Sequence, residues 1–439
     1  MLTDLIQKSD KFQEIKSRLT KPGQIINGLV NPAKSVIISN LASNTSQPIV
    51  FVTQNHHEAL TYYREIKNLN PQKQVFNFLS HEVSAYDQIN SDSSIISSQM
   101  QVFESWQKKE SSITIINFKA FLQQYINFQT YQTRTIKIDK SLEQDPQKLA
   151  KDLVLLGYTK VPAVENKGQF SQRGDITDIY PLVGEPVRIE FFGDNIESIR
   201  IFNLNTQRSI KETDSCTIHP RFSLVREEND KLKENILETY GADEHLIEHL
   251  KESEDLYWEG VEYYREFTKQ TASNFFEFLP SNCHLIFDEW QDLFNQIDQF
   301  LEKQDEICED ARTKNKILQL EKSLYFTSKD IKTNLENIKF KLYLQTLSEE
   351  EENLSYEIKS YPTERFSSKI ADFVEYIKQQ QRNNKTVLIY SEQPQRVLGI
   401  MKEWDIPATY SSQEDDISTT LNNINQKNVY IHQNYLSNT

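Results

Sequence analysis

The chain has 439 residues, with 64 Asp and Glu against 49 Lys and Arg, a formal net charge of −15. Its length suits about three domains. The acidic balance excludes an extensive sequence-independent grip on nucleic acid, which needs Lys and Arg to neutralise phosphates, and leaves open only a local basic site. The 20 Tyr and 24 Phe argue for folded cores rather than disorder throughout.

The N-terminus, MLTDLIQKSDKFQEIKSRL, has an amphipathic helix pattern without the apolar core of a signal peptide. No run approaches the roughly 18 apolar residues of a membrane span. Cys216, Cys283 and Cys308 are far apart and form no C-x-x-C pair, which suits a reduced, cytoplasmic protein better than a disulfide framework.

Residues 1–134 read as α/β. The short apolar runs SVIISNL (35–41), QPIVFVT (47–53), QVFNFLS (74–80) and SITIINF (112–118) suggest strands, with helical patterns such as HEALTYYREIKNL and SSQMQVFESWQKK between them. Such alternation predicts a parallel sheet covered on both faces. The pattern changes near Thr135. The helix DPQKLAKDLVLLGY stops at Gly157, a C-terminal cap, and the strand-like runs TKVPAVE, GQFSQRGDITDIYP, PVRIEFFGDNIESIRIFN and DSCTIHP follow. Residues 135–221 therefore read as a small α+β module. Residues 222–352 read as mostly helical, with one strand at CHLIFDEW. Glu349 to Glu352 and then SYPTERFSS suit either a linker or a solvated helix end. The segment 357–439 reads as a further small α/β unit, with strands TVLIYS and NVYIHQ and helices beginning near Gln393 and Asp415.

Catalytic motifs are sparse. A phosphate loop needs glycines whose backbone N–H groups wrap phosphates, and a Lys to reach them. No glycine lies between Gly28 and Gly157, none of the ten precedes a Lys, and G-x-G-x-x-G is absent. LIFDEW ends in Asp288-Glu289, where ATPases place a magnesium-binding acid, but a strand ending in polar residues is the simpler reading without that loop. His245-Leu-Ile-Glu248-His249 matches the H-x-x-E-H pattern of inverted zinc peptidases. It sits in a solvated helical stretch, with no identifiable third ligand.

PVRIEFFGDNIESIRIFN, residues 186–203, predicts a hairpin turning at Gly193-Asp194-Asn195. Val187, Ile189 and Phe191 share one face; Arg188, Glu190 and Phe192 share the other. An aromatic among charges either packs under a neighbouring loop or anchors an interface.

The run GQFSQRGDITDIYP, PVRIEFFGDNIESIRIFNLNTQRS, IHPRF closely resembles the UvrB-homology module found in the repair protein UvrB and in the transcription-repair coupling factors (Mfd). The likeness covers about residues 135–222. It implies an α/β multidomain fold in which a degenerate helicase-like (RecA-like) domain, 1–134 with 222–352, is interrupted by the module and followed by a second small α/β domain. The coupling factors are the better match, because UvrB carries a working phosphate loop whose equivalent here is taken as VIISNLASNTSQPIVFVT. SHEVSAYDQINSDSSIISSQM is also similar to the coupling factors. The resemblance implies an N-terminal fragment that recruits UvrA through Arg173, Arg188 and Phe192. It implies no catalytic residue, metal or cofactor in this chain. ATP and Mg²⁺ would serve only absent motor domains of a DNA translocase, and RNA polymerase and DNA would be reached through those domains. The fragment itself would be a monomer with no membrane partner. The alternatives are a UvrB-type ATP-dependent enzyme and, on HLIEH alone, a zinc peptidase.

Overall fold

In the computed structural model, which describes residues 21–81, 93–221, 271–314, 323–347, 355–358, 369–411 and 428–433 with a few isolated positions, strands and helices alternate from the start. Strand β1 (Gln24–Asn27) leads into helix α1 (Asn31–Ser43), and β2 (Ile49–Thr53) into α2 (His56–Leu69). Strands β3 (Gln74–Phe78) and β4 (Ser112–Asn117) flank α3 (Ser93–Gln107). IVFVT and SITIIN are buried at every position, as expected of strands covered on both faces. Helix α2 begins where the Asn55 side chain accepts a hydrogen bond from the Glu58 N–H, a polar N-cap.

Two predicted details differ here. SVIISNL is not a strand but the middle of α1, and the first strand is the shorter QIIN before it. Every residue of α1 from Lys34 to Ala42 is buried, so no polar face marks the helical period, and a seven-residue apolar run is ambiguous between strand and buried helix.

After short helices α4 (Lys119–Leu122) and α5 (Phe128–Arg134), the chain enters the module at β5 (Ile136–Asp139). Helix α6 (Pro146–Leu155) is capped by Asp145 and followed by Gly157 at φ +86°. Strands β6 (Thr159–Lys160), β7 (Gln169–Arg173), β8 (Ile176–Tyr180), β9 (Val187–Phe192), β10 (Asn195–Phe202) and β11 (Ser209–Glu212) form one sheet in the order β11-β10-β9-β8-β7-β6. Strand β12 (Ser215–Ile218) returns antiparallel to β5, Ile218 opposite Ile136. The module's two ends are thus paired to each other, which lets an inserted unit leave its host continuous.

The host resumes with β13 (His284–Asp288), α7 (Trp290–Thr313), α8 (Ser328–Glu336), β14 (Phe340–Leu344) and β15 (Ser355–Glu357). Its parallel seven-stranded sheet runs β15-β1-β14-β13-β2-β4-β3, so strands from before and after the module share one sheet, with β1 inserted between β15 and β14. Aromatic packing joins the halves again: Phe278 stacks on Phe103 of α3 with centroids 3.9 Å apart, and Phe275 meets Phe78, Trp106 and Phe121 edge-on. A fully buried Phe contributes about 1.5–3 kcal/mol. Between host and module, Glu104 of α3 lies 3.4 Å from the buried His219 that follows β12 and pairs with Lys108 at 2.8 Å. Strand β15 falls in the stretch between the two expected units, so the host sheet extends past Glu349–Glu352.

The last unit pairs β16 (Val387–Ser391), β17 (Ala408–Ser411) and β18 (Val429–Gln433) in the parallel order β16-β18-β17, with α9 (Ile370–Arg382) and α10 (Pro394–Glu403). Val374, Ile377, Met401, Ile406, Val429 and Ile431 form its own core. Strand β17 went unpredicted from sequence, as did β14, a second strand in the segment 222–352 that was expected to hold only CHLIFDEW. The mixed α/β fold, with one large parallel sheet and smaller sheets, agrees with the expected class.

The N-terminal amphipathic pattern, HLIEH, the helix near Asp415 and most of SHEVSAYDQINSDSSIISSQM lie outside the described residues. Among the described residues no helix is long and apolar enough to cross a membrane, and no cluster of His, Cys, Asp or Glu could hold a metal.

Candidate functional site

The hairpin forms as its alternation requires. Val187, Ile189 and Phe191 enter the core, while Arg188, Glu190 and Phe192 face outward. Two of these three are engaged within the module. Arg188 donates from Nε and Nη2 to the two carboxylate oxygens of Asp178 at 2.7 and 2.8 Å, and from Nη1 to the Gln207 carbonyl at 3.1 Å. Its guanidinium lies over the Phe202 ring, 5.0 Å from the centroid. The bond to Asp178 raises its pKa further. Glu190 accepts from Ser198 at 2.8 Å and from Arg200 at 3.1 Å.

Phe192 has no such engagement and is 73% exposed. It ends β9, where Gly193 at φ +59° opens a two-residue turn to Asn195. Arg173 ends β7, exposed, with its guanidinium donating to the Pro162 carbonyl. It stands opposite Ile176, and Ile176 stands opposite Glu190. Directly opposed residues share a face, so Arg173, Ile176 and Glu190 form one row of the outer face, with Phe192 beyond Glu190 toward the same end and Arg188 on its other side. Ile176 is 38% exposed and was missed from sequence. In ITDIY it falls in phase with Asp178 and Tyr180, not with the buried Thr177 and Ile179. That is the signal that singled out Phe192.

The second site corrects the reading of the absent phosphate loop. The turn from β1 into α1 is Gly28-Leu29-Val30-Asn31-Pro32-Ala33-Lys34-Ser35, a G-x4-A-K-S stretch in the strand-to-helix position of a phosphate loop, with Ala33 where the second Gly belongs. The equivalent segment is therefore this one, not VIISNLASNTSQPIVFVT, and it keeps the Lys and the hydroxyl residue after it. With Ala33 before Lys34, no Gly-Lys pair marks the loop in the sequence.

Gly28 sits at φ +78°, and a side chain there would collide with the Ile358 carbonyl. Lys34, 1% exposed, reaches Asp288 at 2.6 Å and Glu289 at 2.5 Å. The Tyr62 hydroxyl lies 3.0 Å from Asp288. LIFDEW thus ends not as an ordinary strand end with polar residues but in a buried ionic cluster. Burial alone would lower the Lys34 pKa; the two carboxylates outweigh it and raise it. Burial pushes Asp288 up to about 6 against the pull of Lys34.

Four of the loop's N–H groups have protein partners. Leu29 N–H donates to the Gln345 carbonyl at 3.1 Å and Val30 N–H to Ser360 Oγ at 2.8 Å. Ala33 and Lys34 N–H both turn back to the Val30 carbonyl, and Pro32 has no N–H. The Ser35 hydroxyl donates to the buried Glu65.

Comparison with known proteins agrees with this architecture. A family model described as the UvrB interaction domain matches residues 136–223, and one described as the cyanobacterial Mfd Rossmann-like domain matches residues 361–437. The transcription-repair-coupling factor of Bacillus subtilis (strain 168) is 28% identical over 334 residues, which is 71% of this chain and 28% of that protein. The protein of the same name from Staphylococcus aureus (strain USA300) is 24% identical over 243 residues, 55% of this chain and 21% of its own length. The chain therefore spans less than a third of the length of these relatives. Its residues 136–223 match a UvrB interaction domain set within an α/β host, and the chain is similar to the N-terminal region of the transcription-repair coupling factors.

Proposed function

We propose that this chain is the UvrA-recruiting, non-catalytic part of a transcription-repair coupling factor. The observation that carries the reading is Phe192, a large ring left exposed at the end of a charged sheet face, inside the segment matched as a UvrB interaction domain. Exposed aromatics flanked by arginine are favoured interface anchors. Arg173 supplies a cation at the same end of the face, and Ile176 an apolar neighbour. Arg188 contributes by fixing Asp178 and by offering the remaining edge of its guanidinium. UvrA would present an apolar pocket for Phe192 and acidic groups for the arginines.

In this reading the chain hydrolyses no ATP and needs no cofactor or metal. The amide donors that would cradle a triphosphate are bonded to Gln345, Ser360 and Val30, which also disfavours the UvrB-type enzyme. The ATP-driven translocase, and the contacts with RNA polymerase and DNA, would belong to the share of the relatives' length that this chain does not match. The test is a calorimetric titration of UvrA into the purified chain, run beside Phe192→Ala and Arg173→Ala and with thermal melts. Heat of binding in the parent, lost in either variant without loss of folding, supports the reading. Absence of binding by the parent rejects it.

A further inference from the structure

The buried cluster at Lys34 performs no step in the recruitment of UvrA, yet it occupies the place where such a fold binds ligands. Parallel α/β sheets bind ligands beyond the carboxyl ends of their strands, next to a helix N-terminus. Lys34 lies in the first turns of α1, Asp288 at the carboxyl end of β13, and Glu289 directly after it. Glu289 has φ 45° and ψ 53°, a left-handed conformation unfavourable for a residue with a side chain. Its carboxylate is held by Lys34, by the Thr346 N–H at 2.8 Å and by the Thr346 hydroxyl at 2.5 Å, and the Leu29 carbonyl oxygen lies 3.0 Å from that same hydroxyl. Strained backbone persists where its surroundings over-determine it.

We propose that Lys34 is the resident occupant of this crevice, an internal cation that clamps the host domain shut in the place of a nucleotide. The clamp joins the turn at 28–35, the end of β13 and the residues after β14. These segments come from both sides of the inserted module, so the platform beneath it is held in one state whatever the nucleotide concentration. A triphosphate would have to pull Lys34 away from two carboxylates, bring further negative charge beside them, and find amide donors that are already bonded.

The charge count makes the clamp testable. It sets two carboxylates against one ammonium, so removing the lysine leaves two acids together, whereas removing Asp288 leaves a one-to-one pair with Glu289. Thermal melts of the full chain are compared for the parent, Lys34→Met, Asp288→Asn and the double variant, each with and without millimolar Mg-ATP. Lys34→Met should lower the midpoint by about 5 °C or more. Asp288→Asn should lower it far less, the double variant should regain part of the loss, and Mg-ATP should leave the parent unmoved. If Lys34→Met does not fold, a double variant that folds supports the clamp, and a double variant that also fails overturns it. A Lys34→Met variant that melts like the parent overturns the proposal. So does Mg-ATP stabilisation of the parent that Lys34→Met abolishes, since Lys34 would then be a nucleotide ligand.

Discussion

Arg188 and Asp178 face each other across β9 and β8 and share two hydrogen bonds of 2.7 and 2.8 Å, one to each carboxylate oxygen. Arg188 is therefore part of the module's own fabric, unlike Phe192. Arg188→Ala should destabilise the module by roughly 1–3 kcal/mol, because a half-buried carboxylate loses both its charged donors. Asp178→Asn should cost a similar amount, and the double variant less than the sum. Chemical denaturation of the four proteins checks this. A loss of UvrA binding in Arg188→Ala is to be read only beside its stability.

Glu104 gives a pH dependence of definite sign. Burial by itself would raise its pKa, but the contacts with His219 and Lys108 outweigh burial and bring it down to about 2. A carboxylate with a depressed folded pKa adds stability above its ordinary pKa of 4.5, and that stability is lost as pH falls from there toward 2. Glu104→Gln should thus cost on the order of 2 kcal/mol at neutral pH. The deficit should shrink on acidification, measured by denaturant titration at a series of pH values.

Asp288 should respond in the opposite sense. Its folded pKa of about 6 lies above the ordinary 3.8, through burial and the neighbouring Glu289 and Glu58, against the pull of Lys34. Its favourable contribution is fully present below about pH 4 and is lost as pH rises through about 6. The Tyr62 hydroxyl, 3.0 Å from this carboxylate, stays protonated through that range, its pKa raised chiefly by burial. The stability of the parent relative to Asp288→Asn should therefore decline from pH 4 to pH 7, by on the order of 2 kcal/mol. Paired melts across that range provide the check.

Legibility followed the physics of each segment. The antiparallel module was readable where one wet face makes the strand alternate, as in β8 and β9, and GDN marked the turn, whereas the register shift in β10 between Ile196 and Ser198 left no sign in the sequence. The host sheet was readable where β2 and β4 form continuous apolar runs. It was misread at α1, where burial on all sides erases the helical period. Lys34 stayed hidden because its significance depends on Asp288, 254 residues away, and on Ala33 standing where a glycine would have flagged the loop. Ile176 was legible by the same alternation as Phe192, but an isoleucine among strand residues draws no notice until its face is known. Arg188 drew notice as an exposed cation, and only the fold revealed its pairing with Asp178.

The most direct measurement of the central claim is the affinity of UvrA for the parent chain and for Phe192→Ala, by calorimetry, with thermal melts on the same samples. Phe192 is 73% exposed, so its removal should leave the melting midpoint within a few degrees of the parent. An anchor of this kind contributes about 2 kcal/mol or more, so binding should weaken by roughly 30-fold or beyond. A Phe192→Ala chain that folds like the parent and binds UvrA as tightly would contradict the claim.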